Sequence, residues 1–134
     1  MNKVKQTVLH DPDNGLHGNC LSAVLSSLLH IDIDLIPTFS SATWVCDLNN
    51  WLRPHGLAYL ELSVGQSYLQ QIGISGLHHT LCGTSPRNAK VSHAVVGIDG
   101  VLAFDPHPDD TGLAEGSIVY GMFLALSPWM SRTA

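Results

Sequence analysis

The sequence predicts an α+β fold in which N-terminal helices pack on a mostly antiparallel β-sheet. Helical periodicity is confined to the part of the chain before residue 57. Short apolar runs with strand character, separated by turn signals, follow at 57–64, 76–83, 91–98, 101–105 and 117–126. Helices that precede strands, instead of alternating with them, are typical of α+β proteins. Because no linker or repeat divides the chain, we expect a single domain over residues 1–134.

The first predicted helix begins at Cys20 and runs to about His30. Its apolar residues recur at the i, i+3, i+4, i+7 and i+8 positions of one helix face, namely Leu21, Val24, Leu25, Leu28 and Leu29. Asn19 is a residue type favoured at the N-cap, which places Cys20 in the first turn. A second amphipathic helix is predicted over residues 43–52, and Pro54 follows its end.

Composition narrows the classes of function. Apolar residues make up 45% of the chain and charged residues 13%, which excludes a disordered tail. The net charge is −5 and the six Lys and Arg residues are scattered, so no basic stripe is available for nucleic acid. No apolar stretch is long enough for a membrane span or a secretory signal. We therefore expect a cytoplasmic protein without nucleic-acid or membrane partners.

The cysteines and histidines do not form a metal motif. Cys20, Cys46 and Cys82 are an odd number at wide spacing, which predicts reduced thiols instead of a disulfide framework. His78 and His79 are neighbours in a predicted strand, so they point to opposite faces and cannot bind one ion together. Without a CxxC or HExxH motif, the sequence predicts neither a metal nor a cofactor.

Cys20 is the predicted nucleophile. In the first turn of a helix, free backbone N–H groups and the helix dipole stabilise a thiolate, which lowers the thiol pKa below its ordinary value of about 8.5. A neighbouring imidazolium lowers it further, so the chemistry requires a histidine close in space. His93, at the start of a predicted strand, is the candidate base, and Asp105, on the next strand, is the candidate residue that orients it.

The register of the predicted hairpin decides whether this pair can form. A two-residue Asp-Gly turn would leave His93 and Asp105 on opposite faces. A three-residue loop at 98–100 would pair Gly97 with Val101 and set His93 opposite Asp105, with about 5 Å between their Cβ atoms. We predict the three-residue loop, although the apolar pattern alone does not choose between the two.

Several further residues are candidates for the same site. An oxyanion needs hydrogen-bond donors, and the backbone N–H of the nucleophile, the amide of Asn14 and that of Asn19 are available. His17 is close enough in sequence to form the rim of a cleft. Arg87 lies in a polar loop, where it either binds a substrate carboxylate or phosphate or is simply solvated. His107 either lines the cleft, replaces the orienting aspartate or is a turn residue.

These residues carry a resemblance to a known family. The segment NGLHGNCLSAVLSSLL, followed far downstream by SHAVVGIDGVLAFDPHP, resembles the papain-like cysteine peptidase superfamily, in particular small bacterial and phage members related to the C39 and NlpC/P60-type peptidases. The resemblance implies a papain-like domain and a hydrolase that cleaves an amide, peptide or isopeptide bond through a thioester. It implies a triad of Cys20, His93 and Asp105. The family carries an oxyanion-hole Gln ahead of the nucleophile, and Asn14 stands at the papain offset here.

The superfamily leaves the substrate open. It includes amidases, acyltransferases, deamidases and transglutaminases, so the same triad also fits acyl transfer or deamidation of a peptide, protein or small amide. A different alternative is a non-catalytic binding or inhibitor protein on the same fold, for example a phage protein that disarms a host factor. The sequence does not determine the oligomeric state.

Overall fold

The helices and strands follow the predicted order. The computed structural model describes residues 1–65 and 67–131. The helices are α1 (Cys20–Leu29), α2 (Trp44–Leu52) and α3 (Tyr68–Gln71). The strands are β1 (Leu57–Leu62), β2 (His78–Ser85), β3 (Asn88–Ile98), β4 (Val101–Phe104) and β5 (Val119–Ala125). The α+β class is therefore confirmed. The sequence did not indicate α3, because its four residues are too few to show a helical period.

The strands form one antiparallel sheet in the order β1-β5-β2-β3-β4. The last strand in the chain is thus internal, between β1 and β2. Gly121 on β5 is required there, because a Cβ would lie 1.9 Å from Thr80 Oγ1 and 2.5 Å from the Tyr59 ring. The absent side chain lets the neighbouring strands fill this position with their own side chains.

The two faces of the sheet have separate cores. On one face, Val24 of α1 packs with Ala94 and Val96 of β3, and α2 contributes Leu48 and Leu52 beside β1. On the other face, the buried cluster consists of Leu69, Leu81, Val95, Tyr120 and Met122. Consecutive β3 residues therefore alternate between the two cores, as expected of an internal strand. Within residues 1–65 and 67–131, no helix has the length and apolar character that a bilayer crossing requires.

The turn between β3 and β4 differs from the prediction. Ile98 pairs with Val101, so the turn contains two residues, Asp99 and Gly100, with φ angles of +52° and +85°. Positive φ at both positions is characteristic of a type I′ hairpin turn. The predicted pairing of Gly97 with Val101 is therefore wrong.

Contacts outside the hairpin stabilise this turn. The Asp99 carboxylate accepts hydrogen bonds from the backbone N–H groups of Gly76 and Leu77, each at 2.8 Å. The backbone N–H of Gly100 donates to His79 Nε2 at 3.0 Å, inside the molecule. The hairpin pattern alone could not choose the turn, because its partners lie about twenty residues earlier in the chain.

A β-bulge follows the turn. Gly97 pairs with Leu102 but Val96 pairs with Phe104, so Ala103 is an extra residue on β4. One extra residue reverses the side-chain alternation beyond it. Asp105, which follows β4, therefore lies on the same face of the sheet as His93 on β3. The sequence analysis predicted this common face, but from a three-residue loop instead of a bulge.

Candidate active site

A cavity of about 910 Å³ opens at the N-terminal end of α1. Its walls come from the N-terminal segment, the first turn of α1, the start of α2 and the segment before it, strands β1, β2, β3 and β5, and the segment after β4. Among the predicted site residues, those that line it are Cys20, His93, His17, Arg87 and His107. Asp105 lies directly behind His93, whereas Asn14 and Asn19 do not line the cavity.

Cys20 is the first residue of α1, and its thiol is half-buried. Burial raises the pKa of this thiol, while backbone N–H groups of Ala94, Leu21 and Cys20 itself act in the opposite direction and the nearby Asp105 charge adds to the increase. The N–H groups of the first helical turn therefore lower the Cys20 pKa as predicted, but the increase caused by burial is larger. The expected lowering of the Cys20 pKa is wrong for this structure.

His93 and Asp105 form a buried pair. His93 Nε2 donates to Asp105 Oδ1 at 2.7 Å, and the exposed fraction of the two side chains is only 4% and 2%. Burial lowers the pKa of His93, and the Asp105 hydrogen bond and charge only partly offset this effect. The imidazole is therefore neutral near pH 7. Because the Nε2–H group donates its hydrogen bond to the carboxylate, Nδ1 carries the lone pair that a general base needs.

Asp105 remains ionised although it is buried. Burial raises the pKa of its carboxyl group, but hydrogen bonds from His93 and from the backbone N–H groups of His107 and Gly112 outweigh it and hold the pKa below its ordinary range. The distances from those backbone nitrogens are 2.9 Å to Oδ1 and 2.7 Å to Oδ2. A carboxylate held from several directions fixes both the tautomer and the orientation of the histidine.

Cys20 and His93 share the cavity without being hydrogen-bonded to each other. Cys20 packs against Ala94, the residue after His93, in the core between α1 and β3. In the part of the chain that the structure describes, no hydrogen bond joins the thiol to the imidazole. With the thiol pKa raised and the imidazole pKa lowered, the two cavity-lining groups are a neutral thiol and a neutral base.

The two predicted asparagine donors have other roles. Asn14 is exposed, and its amide donates to Asp11 at 2.6 Å in the 3-10 turn that precedes α1. Asn19 precedes the helix as predicted, but its side chain does not cap it. Its Oδ1 instead accepts from the backbone N–H groups of Thr7 and Val8, and its Nδ2 donates to Thr7 Oγ1. Neither amide is directed at the cavity, because each is engaged with a neighbouring segment.

Gln6 is the site residue that the sequence analysis missed. It is 8% exposed and lines the cavity, and its Oε1 has no hydrogen-bond partner among the residues that the structure describes. Its Nε2 donates to Val8 O at 3.0 Å, which uses one of the two amide hydrogens. The segment containing Gln6 is tied to the start of α1 by Asn19, although Cys20 lies fourteen positions later. The burial of this amide depends on how its segment packs, so the sequence carried no signal that could have identified Gln6.

The remaining predicted residues occupy the cavity rim. Arg87 Nη1 donates to both carboxylate oxygens of Asp109, at 3.0 and 3.1 Å, and to Thr111. The His107 ring lies edge-on to His93, with 6.1 Å between ring centroids. His17 lies edge-on to a second histidine, His10, and burial lowers its pKa. His17, predicted at the rim, therefore lines the same cavity as Arg87 and His107.

The chain was compared with protein-family models, curated proteins and solved structures, and none of them matches it. Among the described residues, no group of three or more His, Cys, Asp or Glu side chains is arranged to hold a metal ion.

Proposed function

We propose that this protein is a cysteine-dependent hydrolase of papain-like type that cleaves an amide, peptide or isopeptide bond. The observation that carries the proposal is that Cys20 and His93 line one cavity large enough for a peptide segment, with Asp105 hydrogen-bonded to His93 behind the cavity wall. The chain order of cysteine, histidine and aspartate, with the cysteine at a helix start, supports the papain-like assignment.

The proposed reaction starts from the neutral pair. The Cys20 thiol transfers its proton to His93 Nδ1 as the sulfur attacks the substrate carbonyl carbon. The tetrahedral intermediate collapses when the C–N bond breaks, and the leaving amine takes the proton from His93. A water molecule, deprotonated by His93, then attacks the thioester, which releases the acid and restores the thiol. Asp105 stabilises the imidazolium in each half-reaction.

Backbone and side-chain donors are available for the oxyanion. The N–H groups of Cys20, Leu21 and Ala94 act on the Cys20 sulfur, so they surround the point of attack. The second amide hydrogen of Gln6 is the side-chain candidate in place of the asparagines, because Gln6 lines the cavity. The thiol and imidazole do not need to be hydrogen-bonded in the free protein, since such bonds often tighten only when substrate binds.

Alkylation by iodoacetamide tests the proposed pair, with Cys46 as the internal reference. Cys46 is exposed, so it reacts as an ordinary thiol, whereas burial alone would make Cys20 slower. We expect Cys20 to react about tenfold faster than Cys46 at about pH 7.5, and His93→Ala to reverse this order. Peptide mapping by mass spectrometry resolves the two sites.

The same proteins are then incubated with a peptide library. We expect cleavage by the wild-type protein and by Cys46→Ala, but not by Cys20→Ala or His93→Ala. Cys20 that reacts more slowly than Cys46, with no effect of His93→Ala, would overturn the proposal and favour a binding protein on the same fold.

A further inference from the structure

We propose that the end of the cavity formed by the β2–β3 hairpin binds a carboxylate of the substrate, so that the substrate is an acidic peptide or amide. This inference rests on the proposed function, since it describes what is held beside Cys20. The observation behind it is that the lining has a charge opposite to that of the whole protein.

Charge is segregated at this cavity. The sequence contains 11 acidic residues and 6 Lys and Arg, for a net charge of −5. In the part of the chain that the structure describes, the cavity nevertheless includes both Arg87 and Lys90 but a single acidic residue, Glu61. Glu61 lies on β1, on a different wall from the hairpin. A concave site whose wall carries an excess of one sign of charge attracts ligands of the opposite sign.

The two cations of the hairpin have different surroundings. Arg87 is oriented by the Asp109 carboxylate and Thr111, and Asp109 does not itself line the cavity. The Lys90 ammonium makes no ion pair with the described residues, so its charge is not compensated. The hairpin therefore contributes an oriented guanidinium and an unpaired ammonium to the same cavity lining, and both kinds of cation bind carboxylates.

The other part of the cavity has a different chemistry. Leu9, Phe39 and Trp44 contribute apolar lining, and Cys20 and His93 also belong to the lining. Because Trp44 belongs to α2 and packs beside Tyr59 of β1, this wall is separate from the hairpin. A substrate held at Cys20 would thus meet an apolar surface on one wall and cations on another.

Two reagents with the same reactive group provide the test. Iodoacetate carries a carboxylate and iodoacetamide is neutral, and both alkylate thiols. We expect the iodoacetate/iodoacetamide rate ratio at Cys20, divided by the same ratio at Cys46, to be about three to ten at low ionic strength. Added salt should bring this quotient towards one, because Lys90 is exposed.

Matched charge reversals identify the cation. Lys90→Glu should reduce the quotient about three- to tenfold and Lys90→Gln should reduce it less, whereas Lys3→Glu, at an exposed position outside the cavity lining, should leave it unchanged. Equal effects of Lys90→Glu and Lys3→Glu, or a wild-type quotient of one, would overturn the inference. Failure of Cys20 to react selectively with iodoacetamide would instead overturn the proposed function, so the two failures are distinguishable.

Discussion

At the residue scale, the central feature is how Asp105 sets the chemistry of His93. The carboxylate accepts a hydrogen bond from the Nε2–H group, so the remaining ring nitrogen is the basic one. Two backbone N–H groups, of His107 and Gly112, keep this carboxylate ionised inside the protein. The result is a histidine that is neutral near pH 7 and whose orientation is determined before substrate binds.

The pH dependence of Cys20 reactivity tests this description. Burial lowers the pKa of His93, and a general base must be unprotonated. As pH falls, the rate of peptide cleavage, or of Cys20 alkylation relative to Cys46, should therefore be lost with a midpoint below about 6.5, the ordinary histidine pKa. Asp105→Asn should move the midpoint further down, because the Asp105 hydrogen bond and charge raise the His93 pKa.

The exposed His55 provides the control for this measurement, since His55→Gln should not change the midpoint at which the rate is lost as pH falls. A wild-type midpoint at or above 6.5 would contradict the assignment of His93 as the neutral base.

The residues of the proposed triad have signals in the sequence, whereas the proposed side-chain donor to the oxyanion has none. Cys20, His93 and Asp105 each carry a local signal, namely a helix start, a strand position and a residue just after the next strand. Asn14 was considered because it matches a family offset, yet it is exposed. Gln6 has no local signal and reaches the cavity only because its segment is held against α1.

At the element scale, the β3–β4 hairpin differs from the predicted register in two ways, the turn length and the bulge, and the second difference cancels the effect of the first on which face Asp105 occupies. The two-residue turn alone would have placed His93 and Asp105 on opposite faces, and the bulge at Ala103 restores their common face. Gly97 lies where the register changes. A Cβ at this position would be 2.7 Å from the His79 ring and 2.8 Å from Leu81.

Gly97→Ala should therefore destabilise the fold. The added methyl group forces His79 or Leu81 to move in a buried region, and overpacking of this kind costs about 1–3 kcal/mol. Urea denaturation measures the change in the free energy of unfolding. Gly65→Ala is the matched control, since a Cβ there meets no atom within 4 Å and should change the free energy by at most about 0.5 kcal/mol. Equal effects of the two substitutions would refute the packing argument.

At the scale of the whole molecule, the N-terminal segment connects the two halves of the site. Asn19 binds Thr7 and Val8 beside the start of α1, and the backbone N–H of Gln6 donates to Pro106 O at 2.9 Å. Lys5 Nζ donates to the Asp105 carbonyl at 2.9 Å and pairs with a later carboxylate in the same loop. One segment therefore contacts both the start of α1, which carries Cys20, and the loop that begins at Asp105.

Asn19→Ala should detach this segment. The substitution leaves the backbone N–H groups of Thr7 and Val8 without their acceptor, which costs about 2–3 kcal/mol of unfolding free energy. Limited proteolysis should also cut the first residues faster, and Cys20 alkylation should lose its advantage over Cys46. Asn14→Ala, at an exposed position with a single side-chain hydrogen bond, should change stability by at most about 0.5 kcal/mol. The same stability for both variants would show that the segment is not held by Asn19.

The sequence by itself determined the α+β class, the extents of α1 and α2 to within about a residue and the three residues of the proposed triad. These features are local, because side-chain periodicity and turn residues act over only a few positions. The tertiary structure decided the type of the β3–β4 turn, the bulge at Ala103, the amide that reaches the cavity and the direction of the Cys20 pKa shift. Each of these depends on which distant segments pack together, since burial and long-range hydrogen bonds are properties of the assembled fold.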